Sequence, residues 1–377
     1  MFSFDQLKRG AVFKRFLALG AAIGLAGLTV APQITAAHAE GLEDPTLAPY
    51  FEAFKGKKIG YVPFSMSFDL AQGWLAGMQK QADELGYEII VRDPNWNTDV
   101  GSQAMNQLIN EKPDIIVYMN PDLQSYAKIL KKAKAAGIQL VAVNLKSVVP
   151  THYIGEDWQL NGAAEAEYIV SKCGEGTGRS GKVAILQGIL TSAASAYQLK
   201  GVSDVFAQHP EIEVVSNQSA NWDAGKAHEI TQTVLQQHPD LCGVVGFWDG
   251  MDIGAGAAVK EANLAEPVYV VTSGGGAKEA ACDKLLDGTY SAYMSYDVRT
   301  MAHDINTVIK ILLQSKPPVD MPAFSLPTDM VVLTGYRNGK HGAWMCSIPM
   351  FSKEAYEAAL SEAEAAPSEE ETTPSEE

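Results

Sequence analysis

The sequence predicts an α/β protein with parallel β-sheets, and its length of 377 residues suits two domains. The clearest evidence lies in residues 57–93, where an apolar strand, an amphipathic helix and a second apolar strand follow one another. Leu70, Trp74 and Met78 recur at helical spacing, and Gly86 ends the helix as a residue free to adopt positive φ. A helix between two apolar strands forms a βαβ unit, which implies a parallel sheet covered on both faces.

This unit repeats in the first part of the chain. The helix at 98–110 is expected to turn Val100, Met105, Leu108 and Ile109 inward. Three strand–helix units in succession predict one lobe of a doubly wound sheet. The predicted strands are 59–62, 88–91, 115–119 and 140–143, and the predicted helices are 70–85, 98–110 and 123–136.

A second lobe with the same pattern follows an extended crossing at 153–158. The chain is expected to cross back near Ser295, because the long helix at 298–314 has no strand beside it in the sequence, and a late strand is predicted at 330–333. The predicted lobes are 57–155 plus 296–328 and 156–295 plus 329–350. The second lobe's other strands are 183–187, 212–215, 243–247, 268–271 and 290–294, and its helices are 159–171, 197–208, 224–237, 251–262 and 278–286.

The two ends of the chain differ from its middle. Residues 1–39 have a basic start, an apolar run too short for a typical membrane span, and the small-residue site Ala37-His38-Ala39. These features predict a signal peptide cleaved after Ala39, with an uncleaved membrane anchor as the alternative. Residues 40–56 form a lead-in, and the acidic segment 351–377 has too few large apolar residues to fold, so it is predicted to be a disordered tail.

Charge and cysteine content exclude some functions and suggest others. A net charge of −16 disfavours binding to nucleic acid. The four cysteines Cys173, Cys242, Cys282 and Cys346 permit two disulfides in three possible connectivities. The hypothesis is Cys173–Cys242 with Cys282–Cys346, since Cys173 follows a helix and Cys242 precedes a strand. No cysteine or histidine spacing indicates a metal site, and no cofactor is expected.

Catalytic and phosphate-binding motifs are weak or missing. The segment 176–182 resembles a phosphate-binding loop, but Val183 follows it and it precedes a strand, so a turn is the better interpretation. The sequence lacks a G-x-S-x-G nucleophile motif and its histidines are scattered, which argues against an enzyme. Ser273 and Gly274 follow a strand and precede a helix, where backbone N–H groups could face a ligand; simple turn flexibility is the alternative.

Aromatic and polar residues recur after the predicted strands and at the lobe crossings. Flat aromatic faces beside amides and carboxylates suit a polyhydroxylated ligand, which stacks its apolar face and hydrogen-bonds through its hydroxyls. The alternative is that these aromatic residues belong to the core. The candidates are Phe64, Phe68, Trp158, Trp222, Trp248 and Tyr296 among the aromatics, and Asp69, Asn120, Asn144, Gln187, Asp249 and Ser273 among the polar residues.

Several segments together resemble a known family. In order they include KKIGYVPFS, PDIIVYMNPD, KKAKAAGIQLVAVN, YIGEDWQLNGAAEAEYI and HPDLCGVVGFWDGMDIGAGAAVKEA. Across residues 57–335 the chain resembles the type I periplasmic binding proteins, in the ribose-like branch that serves ABC sugar importers. The resemblance implies two Rossmann-like lobes with parallel sheets joined by a three-crossing hinge, closure on a carbohydrate or polyol, a periplasmic location, delivery to an ABC permease and a monomeric state.

The chain departs from that family's sugar-binding pattern. Where the family often has an acid and an arginine after the fourth strand, this chain has Asn144, Leu145 and Lys146, and Gln198 best matches a usual arginine. The resemblance therefore implies a neutral polyol, a furanose or a modified sugar. Phe64, Phe68 and Trp248 would stack on it, and Asp69, Asn144, Gln198 and Asp249 would hydrogen-bond to it.

Two alternatives stay open from the sequence. Lys146, or the pair Asp69 and Asp249, could instead meet a charged or amine-bearing ligand. A periplasmic sensor that docks to a chemoreceptor or sensor kinase is the alternative to an import receptor.

Overall fold

The computed structural model describes residues 46–275, 278–315, 322–328 and 330–334. The predicted signal peptide with its cleavage site, the acidic tail and Cys346 lie outside the described residues. Within the described part, no helix is both long and apolar enough to cross a membrane.

The first lobe is organised around a six-stranded sheet in which all neighbouring strands are parallel, in the order β11-β5-β4-β3-β1-β2. Its strands are β1 (Lys58–Val62), β2 (Glu88–Val91), β3 (Ile115–Tyr118), β4 (Gln139–Val143), β5 (His152–Gly155) and β11 (Ser325–Pro327). The helices before and around it are α1 (Leu47–Glu52), α2 (Asp69–Leu85), α3 (Thr98–Glu111), α4 (Ala127–Ala135) and α10 (Val298–Gln314).

The second lobe has a sheet in the order β12-β10-β9-β8-β6-β7, in which β12 is an antiparallel edge strand and the other pairs are parallel. The fold class predicted from the sequence, two α/β lobes with parallel sheets, is confirmed. The strands are β6 (Lys182–Gln187), β7 (Glu213–Ser219), β8 (Gly243–Gly246), β9 (Tyr269–Gly274), β10 (Ala292–Tyr296) and β12 (Met330–Thr334); the helices are α5 (Trp158–Cys173), α6 (Ala193–Phe206), α7 (Ala224–Gln237), α8 (Asp249–Ala262) and α9 (Lys278–Leu286).

Each sheet separates two apolar cores because alternate strand residues point to opposite faces. In β3, Ile115 and Val117 pack in the core shared with α2 and α10, whereas Ile116 and Tyr118 pack in the core under α3 and α4. In the second lobe, Val244 and Val245 of β8 likewise lie in separate cores. This two-sided burial explains why the strands are short, continuous apolar runs in the sequence.

The helix α10 returns the chain from the second lobe to the first. It packs against α2, where glycines permit a close approach: a Cβ atom on Gly73 would lie 2.6 Å from the Val298 side chain, and one on Gly77 would lie 2.7 Å from that of Ala302. The chain thus passes between lobes three times, after β5, after β10 and after β11.

Several sequence-based boundaries were wrong for local reasons. Helix α4 starts at Ala127 rather than at 123, because the Asp122 carboxylate accepts the N–H groups of Gln124 and Ser125 and holds a turn there. Val100 is 43 % exposed rather than inward, since the buried face of α3 begins at Gly101. Helix α6 starts earlier than predicted, and β11 was not predicted from the sequence.

One disulfide joins Cys173 at the end of α5 to Cys242, which precedes β8, and this confirms the predicted pair. Cys282 is not a free thiol in the described part of the chain. Its predicted partner, Cys346, lies outside that part, so the second pairing stays a prediction.

Candidate functional site

The two lobes touch across a cleft at the carboxyl ends of their strands. The Leu123 N–H of the first lobe donates to the Thr191 carbonyl of the second over 3.0 Å. The Trp248 ring of the second lobe lies 6.1 Å from the ring of Trp96 and 6.4 Å from that of Phe68. The described structure is therefore a closed arrangement of the lobes.

A cavity of about 420 Å³, including its mouth, lies between the lobes. This is where ligands collect in open α/β sheets. Seven of the fifteen predicted site residues line it, together with six others. The predicted residues are Phe64, Phe68, Asn144, Trp158, Trp222, Trp248 and Tyr296, and the others are Leu70, Trp96, Met119, Leu145, Ala194 and Phe247.

Two tryptophans reach the cavity from matching loops, one in each lobe. Trp96 lies between β2 and α3, and Trp222 lies between β7 and α7. Both have φ of 64°, and each follows an asparagine that also has positive φ. Positive φ is rare for bulky residues and often marks functional loops. The next residue caps the helix in both loops: the Asn97 side chain accepts N–H bonds at α3, and the Asp223 side chain does so at α7.

Trp248 is held at the start of α8 by a carboxylate beneath it. Its backbone N–H donates to Asp252 Oδ2 over 3.1 Å, and Thr272 Oγ1 donates to the same oxygen over 2.6 Å. Burial raises the pKa of Asp252 well above its ordinary value, and the charge of Asp249 raises it further. The Trp248 ring then contacts Trp222 at 6.2 Å, which completes an aromatic wall.

A second group of cavity residues lies at the hinge. Asn144 follows β4 with φ of 63°, and its carbonyl accepts the Trp158 Nε1–H bond over 2.8 Å. Trp158 packs edge-to-face against Tyr296, with ring centroids 5.4 Å apart. The Asn144 Oδ1 atom is buried and has no hydrogen-bond partner among the described residues, so it is available to a ligand donor.

Asp249 stands beside the aromatic wall without lining the cavity. Its Oδ2 accepts the Tyr293 hydroxyl over 2.7 Å and its Oδ1 accepts the Gly250 N–H over 2.8 Å. Burial raises its pKa to about 6, the negative charge of Asp69 also raises it, and the Tyr293 hydrogen bond opposes the rise. Gly274 packs directly on this pair, since a Cβ there would lie 2.2 Å from the Tyr293 hydroxyl.

Other predicted site residues do not line the cavity, and several of their polar groups have partners elsewhere. The Asn120 amide donates to the Lys146 carbonyl over 3.2 Å, and Lys146 Nζ lies 4.3 Å from the centre of the Tyr153 ring. Gln187 donates to Asn217 at 2.6 Å, and Asp69 is exposed at the start of α2.

Gln198 and Ser273 belong to a buried network inside the second lobe. Gln198 Nε2 donates to Ser273 Oγ over 2.9 Å and to Asn161 Oδ1 over 3.2 Å. Burial raises the pKa of the neighbouring Glu165 well above its ordinary value, with the charge of Asp252 as the next cause. The Gln198 amide is therefore engaged inside the second lobe rather than at the cavity.

The fold and the cavity define a class: a two-lobed binding protein that encloses a small ligand between its lobes. The chain belongs to the periplasmic binding protein domain family, whose profile matches residues 59–317. As a member of this family, the chain is a binding protein rather than an enzyme.

Proteins similar to this chain are named for sugars or have a sugar bound. The chain is 30 % identical over 254 residues to the ribose import binding protein of Escherichia coli (strain K12), covering 65 % of this chain and 82 % of that one. It is 29 % identical over 199 residues to the D-apiose import binding protein of Paraburkholderia graminis, covering 50 % and 61 %. A solute-binding protein from Actinobacillus succinogenes 130z with bound D-allose shares the fold, with a TM-score of 0.63, 24 % identity and coverage of 73 % and 96 %.

Proposed function

We propose that this protein captures a small neutral carbohydrate or polyol in the cavity between its lobes and delivers it to an ABC permease. The observation that carries the proposal is the cavity between the lobes, walled by aromatic rings from both of them. Aromatic faces stack on the C–H faces of sugar rings, and the related import binding proteins are named for ribose and apiose.

We also propose that the protein is exported to the periplasm, that its signal peptide is cleaved after Ala39, and that it is a monomer. These properties suit a receptor that carries a ligand to a membrane permease. Within it, we propose lobes of 57–155 plus 296–328 and of 156–295 plus 329–350, which agrees with β11 pairing in the first sheet and β12 in the second. The names of the relatives favour import over sensing.

The first test is thermal unfolding of the mature protein with a panel of sugars, polyols, sugar acids and amines. The protein is first unfolded in guanidinium without reductant, dialysed and refolded, so that a ligand carried through purification is removed. A ligand present at about 100 times its dissociation constant should add about 2.7 kcal/mol to the free energy of unfolding. A shift with a neutral carbohydrate or polyol is the expected result, and shifts confined to acids or amines would overturn the ligand class.

The second test places the ligand in the cavity. Trp248→Ala removes the ring that joins the aromatic residues of both lobes, and we expect it to weaken binding by about 2 kcal/mol, as for a central interface anchor. Leu160→Ala is the control, since Leu160 is 57 % exposed on α5 and does not line the cavity. Isothermal titration calorimetry on both variants measures the effect, and equal affinities would place the ligand elsewhere.

A further inference from the structure

The cavity wall offers few hydrogen-bond partners. Of the thirteen described residues that line it, Asn144 contributes the one side-chain amide, and none contributes a carboxylate, an ammonium or a guanidinium group. The remaining lining residues are aromatic or aliphatic, and their polar side-chain atoms are the four indole N–H groups, the Tyr296 hydroxyl and the weakly accepting Met119 sulfur. A ligand between these walls therefore meets mainly carbon.

Two of the indole N–H groups on the cavity wall already donate hydrogen bonds within the protein. Trp96 Nε1 donates to Ser67 Oγ over 2.8 Å, and Trp158 Nε1 donates to the Asn144 carbonyl over the same distance. The carboxylate of Asp249, which follows Trp248 in the chain, already accepts bonds at both of its oxygens. These contacts reduce the number of groups that can satisfy the hydroxyls of a bound sugar.

An enclosed hydroxyl without a partner is costly, because it leaves water and gains nothing in return. A fully hydroxylated hexose would bring several such hydroxyls into this cavity. A sugar in which a hydroxyl or hydroxymethyl group is replaced by hydrogen or methyl avoids that cost and adds apolar contact.

We propose that the ligand is a deoxy monosaccharide whose methyl or methylene edge contacts the apolar wall, while a remaining hydroxyl donates to Asn144 Oδ1. The inference rests on the proposed function and narrows its substrate class. Met119 is a specificity-determining residue in this arrangement. It lies directly after β3, is buried and lines the cavity. Its thioether is only a weak hydrogen-bond acceptor, so it cannot satisfy a sugar hydroxyl well.

The test compares matched pairs of sugars that differ in one position. Refolded protein is titrated calorimetrically with D-fucose and D-galactose, with L-rhamnose and L-mannose, and with deoxyribose and ribose. In at least one pair the deoxy sugar should bind about tenfold or more tightly than its hydroxylated partner. Equal or tighter binding of the hydroxylated sugar in every pair that binds would overturn the inference while the proposed function stood. Failure of every carbohydrate and polyol to bind would overturn both.

A variant tests the role of Met119. Met119→Gln keeps the length of the side chain and adds an amide, so it should reduce the preference for the deoxy sugar severalfold by giving the extra hydroxyl a partner. Met66→Gln makes the same change at a half-buried residue that does not line the cavity and should leave the preference unchanged. An unchanged preference in a folded Met119→Gln protein would contradict the role assigned to Met119. If that variant does not fold, the matched sugar pairs still test the ligand class on the unmodified protein.

Discussion

The Asp249 carboxylate is a titratable group beside the aromatic wall. It is the first residue of α8, directly after Trp248, and the groups around it are the Tyr293 hydroxyl, the Gly250 N–H and the charge of Asp69 across the cleft. Its carbonyl also accepts the Tyr290 hydroxyl over 2.7 Å. Because burial and Asp69 raise the pKa from 3.8 to about 6, the folded protein holds a proton on Asp249 at a pH where the unfolded chain does not.

This shift predicts a pH dependence of stability. Between about pH 4 and pH 6 the folded state binds more protons than the unfolded state, so the Asp249 contribution to the free energy of unfolding falls as the pH rises through this range. Asp249→Asn cannot titrate and should show a shallower decline. Urea unfolding of both proteins at intervals from pH 4 to pH 7 measures the difference.

The difference between the two proteins reports Asp249 together with its effect on Asp252. Glu165 also has a raised pKa whose contribution has the same sign, but it is present in both proteins and cancels in the difference. Asp252 does not cancel fully, because the charge of Asp249 raises its pKa in the unmodified protein. The lost hydrogen-bond acceptor in Asp249→Asn adds an offset that does not depend on pH. Parallel curves for the two proteins would show that Asp249 titrates at its ordinary pKa.

Single residues also show what the sequence could predict of the site. Position after a strand led to the prediction of Trp222 and Trp248, and both line the cavity because loops at the carboxyl ends of parallel strands meet at one edge. Trp96 was missed, although Asn95-Trp96-Asn97 repeats the pattern of Asn221-Trp222-Asp223 and would have identified it. Gln198 was misplaced for a different reason: its helix starts earlier than predicted, and its amide is buried among polar partners that no local pattern reveals.

At the scale of elements, the disulfide fixes the end of α5 to the start of β8. It joins residues 69 positions apart, and both cysteines are buried. It lies at the edge of the second sheet away from the cavity, since Phe247 and Trp248 line the cavity from the opposite end of β8. Its role should therefore be stability rather than recognition.

Replacing both Cys173 and Cys242 by alanine tests this separation. The double variant should lose about 2–5 kcal/mol of unfolding free energy, because the unfolded chain gains the freedom of the opened loop. Ligand affinity measured by calorimetry below the unfolding transition should stay the same. An unchanged urea midpoint would contradict the stabilising role, and weakened binding with intact folding would show that the disulfide shapes the cavity.

Elements were predicted from the sequence more accurately than their contacts. Strands such as β2 and helices such as α7, α9 and α10 have the predicted bounds or nearly so, since apolar runs and amphipathic faces are local signals. The three-residue strand β11 was missed because it is exposed and carries no such run. Its pairing with β5 depends on the chain returning through α10, which is a property of the whole fold.

At the scale of the whole molecule, the three chain crossings allow the lobes to rotate while their cores stay intact. Each lobe has two apolar cores around its own sheet, and the core beside α2 and α10 also takes in Ala193 and Ala194 of α6 from the second lobe. Other described contacts across the cleft include a backbone hydrogen bond from Leu123 to Thr191 and the aromatic contacts of Trp248. A ligand that bridges both walls would add to these contacts only in the closed arrangement, and would therefore shift the population towards it.

Closure can be followed with spin labels on two exposed residues at the mouth. Val148 and Leu190 are exposed and lie on different lobes. They lie near each other across the cleft, because the Leu123 carbonyl accepts the Val148 N–H and the Leu123 N–H donates to the carbonyl of Thr191, the residue after Leu190. We expect labels at Val148→Cys and Leu190→Cys to give long, broadly distributed distances in the refolded, ligand-free protein. A saturating ligand should convert these to one short distance in dipolar EPR, because it stabilises the closed state by its differential affinity.

Labels at Val100→Cys and Val148→Cys, both in the first lobe, are the control, and the distance between them should not change. Identical distributions for the first pair with and without ligand would mean that the lobes do not open, and that the ligand reaches the cavity by local movement of the aromatic loops.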